Sequence, residues 1–169
     1  MIRFHKILNE LFNKIHPFQK VGSYPHEVNY RFTADSGQIY DVNFTDPGEN
    51  KLWQVEFYIK GNDGNIINPT TPLLYSLDVT GTGDQFKIFS TVVQIAKEFF
   101  KEYHKNVKAI SFTAKEPSRR KLYQHMVKRL SSENNLDYKI ISPIDDDEKY
   151  VVYPRGKWDS IKKGYEKAI

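Results

Sequence analysis

The stretch Thr80-Gly81-Thr82-Gly83-Asp84 offers the first chemistry in this sequence. An alternating apolar run, Leu73, Tyr75, Leu77 and Val79, stops at Thr80, and a long amphipathic pattern begins after Gly83. A strand that enters a glycine turn and then a helix leaves the first helical N–H groups without backbone partners. With the positive end of the helix dipole, those groups attract an anion, most readily a phosphate. Gly81 and Gly83 let such a ligand approach the backbone and tolerate positive φ. The plainer reading of the same glycines is a tight strand-to-helix connection. Two familiar phosphate motifs are excluded by spacing: the third glycine of G-x-G-x-x-G would fall at Phe86, and no Gly-Lys-Ser/Thr follows at P-loop distance.

Other reactive groups are sparse. His5, His16, His26, His104 and His125 have no sequence-near carboxylate pairing of the kind a metal site needs, and read as surface residues. No serine sits in G-x-S-x-G context, so hydrolase chemistry has no support. Asp145-Asp146-Asp147 reads as a solvated hairpin turn, with cation binding as the sharper alternative, and no metal is expected. The absence of cysteine excludes disulfides, thiolate metal sites and a cysteine nucleophile. It fits a reducing, cytoplasmic setting.

The elements that must position these residues are legible from periodicity. Ile7, Leu8, Leu11, Phe12 and Ile15 predict an amphipathic N-terminal helix closed at His16-Pro17, within an arm spanning residues 1–22 that precedes a single domain over 23–169. Ser23 to Glu27 reads as loop. Three period-two runs follow at 30–33, 39–44 and 52–59, joined by Asp35-Ser36-Gly37 and Asp46-Pro47-Gly48, which predicts an antiparallel meander. A fourth strand is expected over 73–79 and a helix over 84–103. Strand five follows at 107–113, then a helix opened by Pro117 and two strands near 138–141 and 149–153. The tail from Pro154 is basic and aromatic and suits a short terminal helix. The strand-helix-strand crossover makes strands four and five parallel neighbours in an otherwise antiparallel sheet, an α+β (mixed α/β) architecture.

Composition bounds the partners. The 169 residues suit one domain, and 25 basic against 21 acidic side chains leave a net charge of only +4. Nucleic-acid binding is open without being favoured; its clearest footing is Arg119, Arg120, Lys121, Lys128 and Arg129. No apolar run reaches the roughly 20 residues that span a bilayer, so no membrane partner is expected.

Three features resemble the GNAT superfamily of N-acyltransferases, and within it small GNAT-like proteins of bacteriophages. The order of strands and helices over residues 29–153 is similar to the GNAT order. Asp78-Val79-Thr80-Gly81-Thr82-Gly83 resembles the family's pyrophosphate loop, Q/R-x-x-G-x-G/A, at the end of its fourth strand. "EPSRRKLYQHMVKRL" resembles the last core helix, whose tyrosine would be Tyr123.

The resemblance implies a GNAT-like fold and acetyl-CoA, or another acyl-CoA, as co-substrate. Val79, Thr80 and Gly81 would belong to the cofactor loop, and backbone N–H groups of Thr82, Gly83 and Asp84 would hold the pyrophosphate. Strands four and five would splay to admit the pantetheine arm. Tyr123 would protonate the departing thiolate, a role suited to a phenol of pKa about 10. Glu56 or Glu116 would take the proton from the acceptor amine, and Arg119 or Arg120 would meet the 3′-phosphate. The acceptor would be an amine-bearing molecule, a protein among the options. Asp78 replaces the family's Gln or Arg, and the two helices that most members insert between strands one and two are missing. The alternative is therefore a catalytically inactive GNAT-like module contacting protein or nucleic acid.

Overall fold

The alternation of Val28, Tyr30 and Phe32 with Asn29 and Arg31 sends rings to one side of a strand and polar groups to the other. In the computed structural model, which describes residues 13–46, 48, 50–60, 66–67, 84–114, 117–133, 135–141 and 148–166, that strand belongs to an eight-stranded sheet. The strands are β1 (Phe18–Tyr24), β2 (Glu27–Thr33), β3 (Ile39–Thr45), β4 (Leu52–Lys60), β5 (Ile66–Ile67), β6 (Ala109–Ala114), β7 (Leu136–Ile141) and β8 (Glu148–Pro154). The helices are α1 (Asp84–Tyr103), between β5 and β6; α2 (Pro117–Glu133), between β6 and β7; and α3 (Trp158–Glu166), after β8. The sheet order is β1-β2-β3-β4-β6-β8-β7, with β5 paired to β4. Among the described strands only β4 and β6 are parallel, and every other pair is antiparallel. The protein has the mixed α/β fold expected from the sequence.

Register places the apolar residues opposite one another. Tyr30 faces Val42, which faces Phe57, while Val28 faces Phe44, which faces Val55. On this face α1 lays Phe99 between Phe44, at a ring-centroid distance of 3.9 Å, and Trp53, at 5.1 Å. Apolar residues of α1 at three-four spacing, from Ile88 to Phe99, are all buried there. The opposite face divides in two. Over β6 and β8, α3 buries Ile161 and Tyr165 against Ala109, Val151 and Tyr153. Over β2 to β4 the same face is polar.

The turns obey the local chemistry. Gly37 adopts φ 83° and its N–H donates to the Ala34 carbonyl at 2.9 Å, closing the β2–β3 hairpin. The Asp46 carboxylate accepts from the N–H groups of Gly48 (3.4 Å) and Lys51 (3.0 Å) before β4 begins.

Two expectations are corrected. Residues 18–24 form a strand, so Ser23 and Tyr24 are not loop, and an arm boundary at residue 22 would fall inside β1. The run hides because a bulge between Lys20 and Gly22 shifts the register and breaks the period-two pattern. β6 pairs in parallel with β4 at Leu52 to Gln54. The strand expected over 73–79 lies outside the described residues, as does the N-terminal helix apart from its last residues. Second, His16 is buried, not a surface residue. Its ring stacks on Phe32 at 5.7 Å, its N–H donates to Thr91 Oγ1 at 2.8 Å, and its Nδ1 lies 3.6 Å from Asp35. Pro17 follows it and directs the chain into β1, wedging the imidazole between the β2–β3 hairpin and α1.

Candidate functional site

Among the described residues, parallel strands β4 and β6 are paired at Leu52–Ala109, Trp53–Ile110 and Gln54–Ser111, and no described strand lies between them beyond that point. Each strand nonetheless continues, because each keeps its outer neighbour: β4 follows β3 as far as Lys60, and β6 follows β8 as far as Ala114. The right-handed twist carries the two halves of the sheet apart. β5 takes the inner edge of β4 at Ile59 and Lys60. Val55 to Tyr58 on one side and Phe112 to Ala114 on the other thus bound a fork in the sheet.

α1 runs antiparallel to β4. Its early residue Phe89 meets Phe57 at 5.8 Å, and its late residue Phe99 meets Trp53. Lys87 in the first turns donates to the Asp35 carboxylate in the β2–β3 hairpin, at 2.8 Å. The N-terminus of α1, immediately after Gly83, therefore lies at the open end of the fork. α2 begins only three residues after β6 ends, so a second helix N-terminus comes to the same end. Two positive dipole ends meeting there favour an anion.

Tyr123 of α2 spans the fork. Its ring centroid lies 6.4 Å from that of Phe57 on β4 and 5.9 Å from that of Phe112 on β6. Tyr150 of β8 stacks on it at 5.9 Å. Tyr150 is the feature that periodicity could not single out, since it reads as an ordinary strand residue. Its hydroxyl donates to Glu148 and contacts the Arg120 carbonyl at 3.2 Å. Burial, then the bond to Glu148, pushes the Tyr150 phenol above its ordinary range.

The other expected site residues are distributed as follows. Glu56 is exposed on β4, past the last paired residue, and alternation puts it on the sheet face opposite Phe57 and Tyr123. Asp84 opens α1, and Arg119 lies in the first turn of α2. Arg120, in the same turn, has Nη1 4.0 Å from Glu148. Val79, Thr80, Gly81, Thr82, Gly83 and Glu116 lie outside the described residues.

The face carrying Glu56 holds a polar ladder. Asn29, Asn43 and Glu56 form one cross-strand row, and Arg31, Asp41 and Tyr58 the next. Arg31 clamps Asp41 with two bonds, of 2.6 and 2.8 Å, which raises the guanidinium pKa further. Asn43 Nδ2 donates to the Tyr58 hydroxyl at 2.9 Å.

Two arginines of α2 face carboxylates: Glu133 accepts from Arg129, and from Lys97 of α1, while Arg120 faces Glu148. Among the described residues no three His, Asp or Glu side chains converge as metal ligands, and no helix is long and apolar enough to cross a membrane.

A family model described as "Family of unknown function (DUF6934)" matches residues 20–160, and the chain belongs to this family. No curated protein matches the sequence. Among solved structures, a spermidine N-acetyltransferase from Vibrio cholerae, in a point-mutant form, is similar at 10% identity and a TM-score of 0.36, covering 92% of this chain and 90% of that one.

Proposed function

We propose that this DUF6934 chain is an acyl-CoA-dependent N-acyltransferase, moving an acetyl or related acyl group to an amine acceptor by direct attack. The observation that carries the reading is the fork: a parallel pair that separates after Gln54 and Ser111, with two helix N-termini at its open end and Tyr123 across its walls.

The residues present suit such a co-substrate. The walls contributed by Phe57, Phe112 and Tyr123 are apolar and narrow, which suits a flexible pantetheine arm. The segment 79–84 leads into the N-terminus of α1, where phosphates are stabilised. Bound there, an acyl-CoA supplies an activated thioester carbonyl. A carboxylate, Glu56 or Glu116, takes a proton from the acceptor's ammonium, and the amine nitrogen then bonds to the carbonyl carbon. As the C–S bond breaks, the Tyr123 hydroxyl gives its proton to the sulfur. Glu56 and Tyr123 lie on opposite faces of the sheet, an arrangement that lets the amine attack the carbonyl from one side while the thiolate departs on the other. The polar ladder of Asn29, Asn43, Arg31, Asp41 and Tyr58 gives the acceptor a hydrogen-bonding surface beside Glu56. A nucleic-acid-binding module built on Arg119 to Arg129 fits less well, since Arg120 and Arg129 already face carboxylates.

Calorimetric titration with acetyl-CoA tests the reading. Wild-type protein should bind with a Kd near micromolar, about −8 kcal/mol, and Gly83→Trp should lose that binding while keeping its melting temperature. Absence of binding in the wild type, or equal affinity in the variant, overturns it.

A further inference from the structure

We infer that the closed end of the parallel pair carries a second ligand site, for a small phosphomonoester. There, α3 and the residues around the start of β4 line an open cleft of about 260 Å³. Lys108 and Lys163 flank it, Asn50 and Ser160 complete its polar rim, and Leu52 and Gly164 form its floor.

Three observations select the ligand. The first is charge. Most lysines with ordered partners here meet carboxylates: Lys20 with Glu102, Lys87 with Asp35, Lys97 with Glu133 and Lys162 with Asp159. Among the described residues, Lys108 and Lys163 have no carboxylate within ion-pair distance and no acidic side chain lines the cleft. Two uncompensated ammonium groups match a phosphomonoester, which carries about −1.5 to −2 at neutral pH. A lone carboxylate would leave one of them unmatched.

The second is shape. A Cβ on Gly164 would lie 2.4 Å from Leu52 Cδ1, so a side chain there would displace the tip of Leu52 from the floor. Leu52 and Ile161 offer an apolar surface to the organic part of the ligand. The third is size and place. The volume is just below the roughly 300–1,000 Å³ of sites for drug-sized molecules, which suits a small metabolite better than a coenzyme. Leu52 lies at the opposite end of β4 from Lys60, about 26 Å away at ~3.3 Å per residue. The site is therefore separate from the open end of the fork, and its occupancy does not depend on the acyltransferase reading.

The test is titration of the full chain with inorganic phosphate at constant ionic strength, followed by amide chemical shifts. Saturable shifts are expected at Lys108, Ser160, Lys163 and Gly164. Lys108→Ala and Lys163→Ala should each raise the Kd at least ten-fold, whereas Lys128→Ala, an exposed lysine on α2, should leave it within two-fold. Shifts that fail to saturate, that chloride reproduces, or that Lys128→Ala weakens as much as the other two variants, overturn the proposal.

Discussion

Gln54 of β4 and Ser111 of β6 are the last residues paired across the parallel strands, and the sheet divides directly after them. Below them the second face carries Ala109 and Tyr165 in one apolar cluster against which Leu52 packs. Above them the first face is walled by Phe57, Phe112 and Tyr123. One end of the parallel pair is thus covered by α3, while the other lies beneath two helix N-termini.

The role proposed for Tyr123 separates chemistry from packing. Tyr123→Phe keeps the ring contacts with Phe57, Phe112 and Tyr150 and removes only the proton. Steady-state kinetics should show kcat lowered by about 100-fold or more, with acetyl-CoA affinity within two-fold of wild type. A parallel loss of affinity would mark the hydroxyl as structural.

Phe99 is the ring on which the larger half of the core converges, stacking on Phe44 and Tyr103 and meeting Trp53 edge-on. It is fully buried. Phe99→Ala should cost about 3–5 kcal/mol, read from the denaturant midpoint at an unchanged m-value.

The Arg31–Asp41 clamp is only partly sheltered, with Asp41 buried and Arg31 a third exposed. Asp41→Ala leaves the guanidinium without its counter-charge on the polar face. The expected loss is about 2 kcal/mol, below the range for breaking a fully buried pair. Chemical denaturation of the single variants and of the Arg31→Met, Asp41→Leu double variant checks this, the double variant recovering most of the loss.

Glu133 predicts an acid-side dependence. Burial alone would raise its pKa, but hydrogen bonds and charge from Lys97 and Arg129 outweigh burial and hold it below 4.5. Because the folded pKa is the lower one, the stabilisation is fully present above the unfolded value and disappears as pH falls through the folded value. Melting curves of wild type and Glu133→Gln should differ at pH 6 and converge as the pH is lowered through the folded-state pKa of Glu133.

The sequence by itself determined the local elements. Period-two runs predicted β2, β3 and β4, three-four spacing marked α1 from Asp84 to Tyr103, Pro117 opened α2, and Gly37 took the left-handed turn conformation its hairpin required. These follow from interactions within a few residues, which the order of side chains encodes directly. Strand adjacency is different. Gln54 and Ser111 are more than fifty residues apart, and nothing in the composition of β4 marked its first residues as a neighbour of β6. The bulge at Lys20–Gly22 concealed β1, and the burial of His16 depended on α1 closing over it. Tyr123 was visible as a residue type; its position across the fork, stacked on Tyr150, came from packing two helices and three strands at once. Which edges meet, and where they part, is decided by the total apolar surface that the sheet can bury, a quantity no single segment carries.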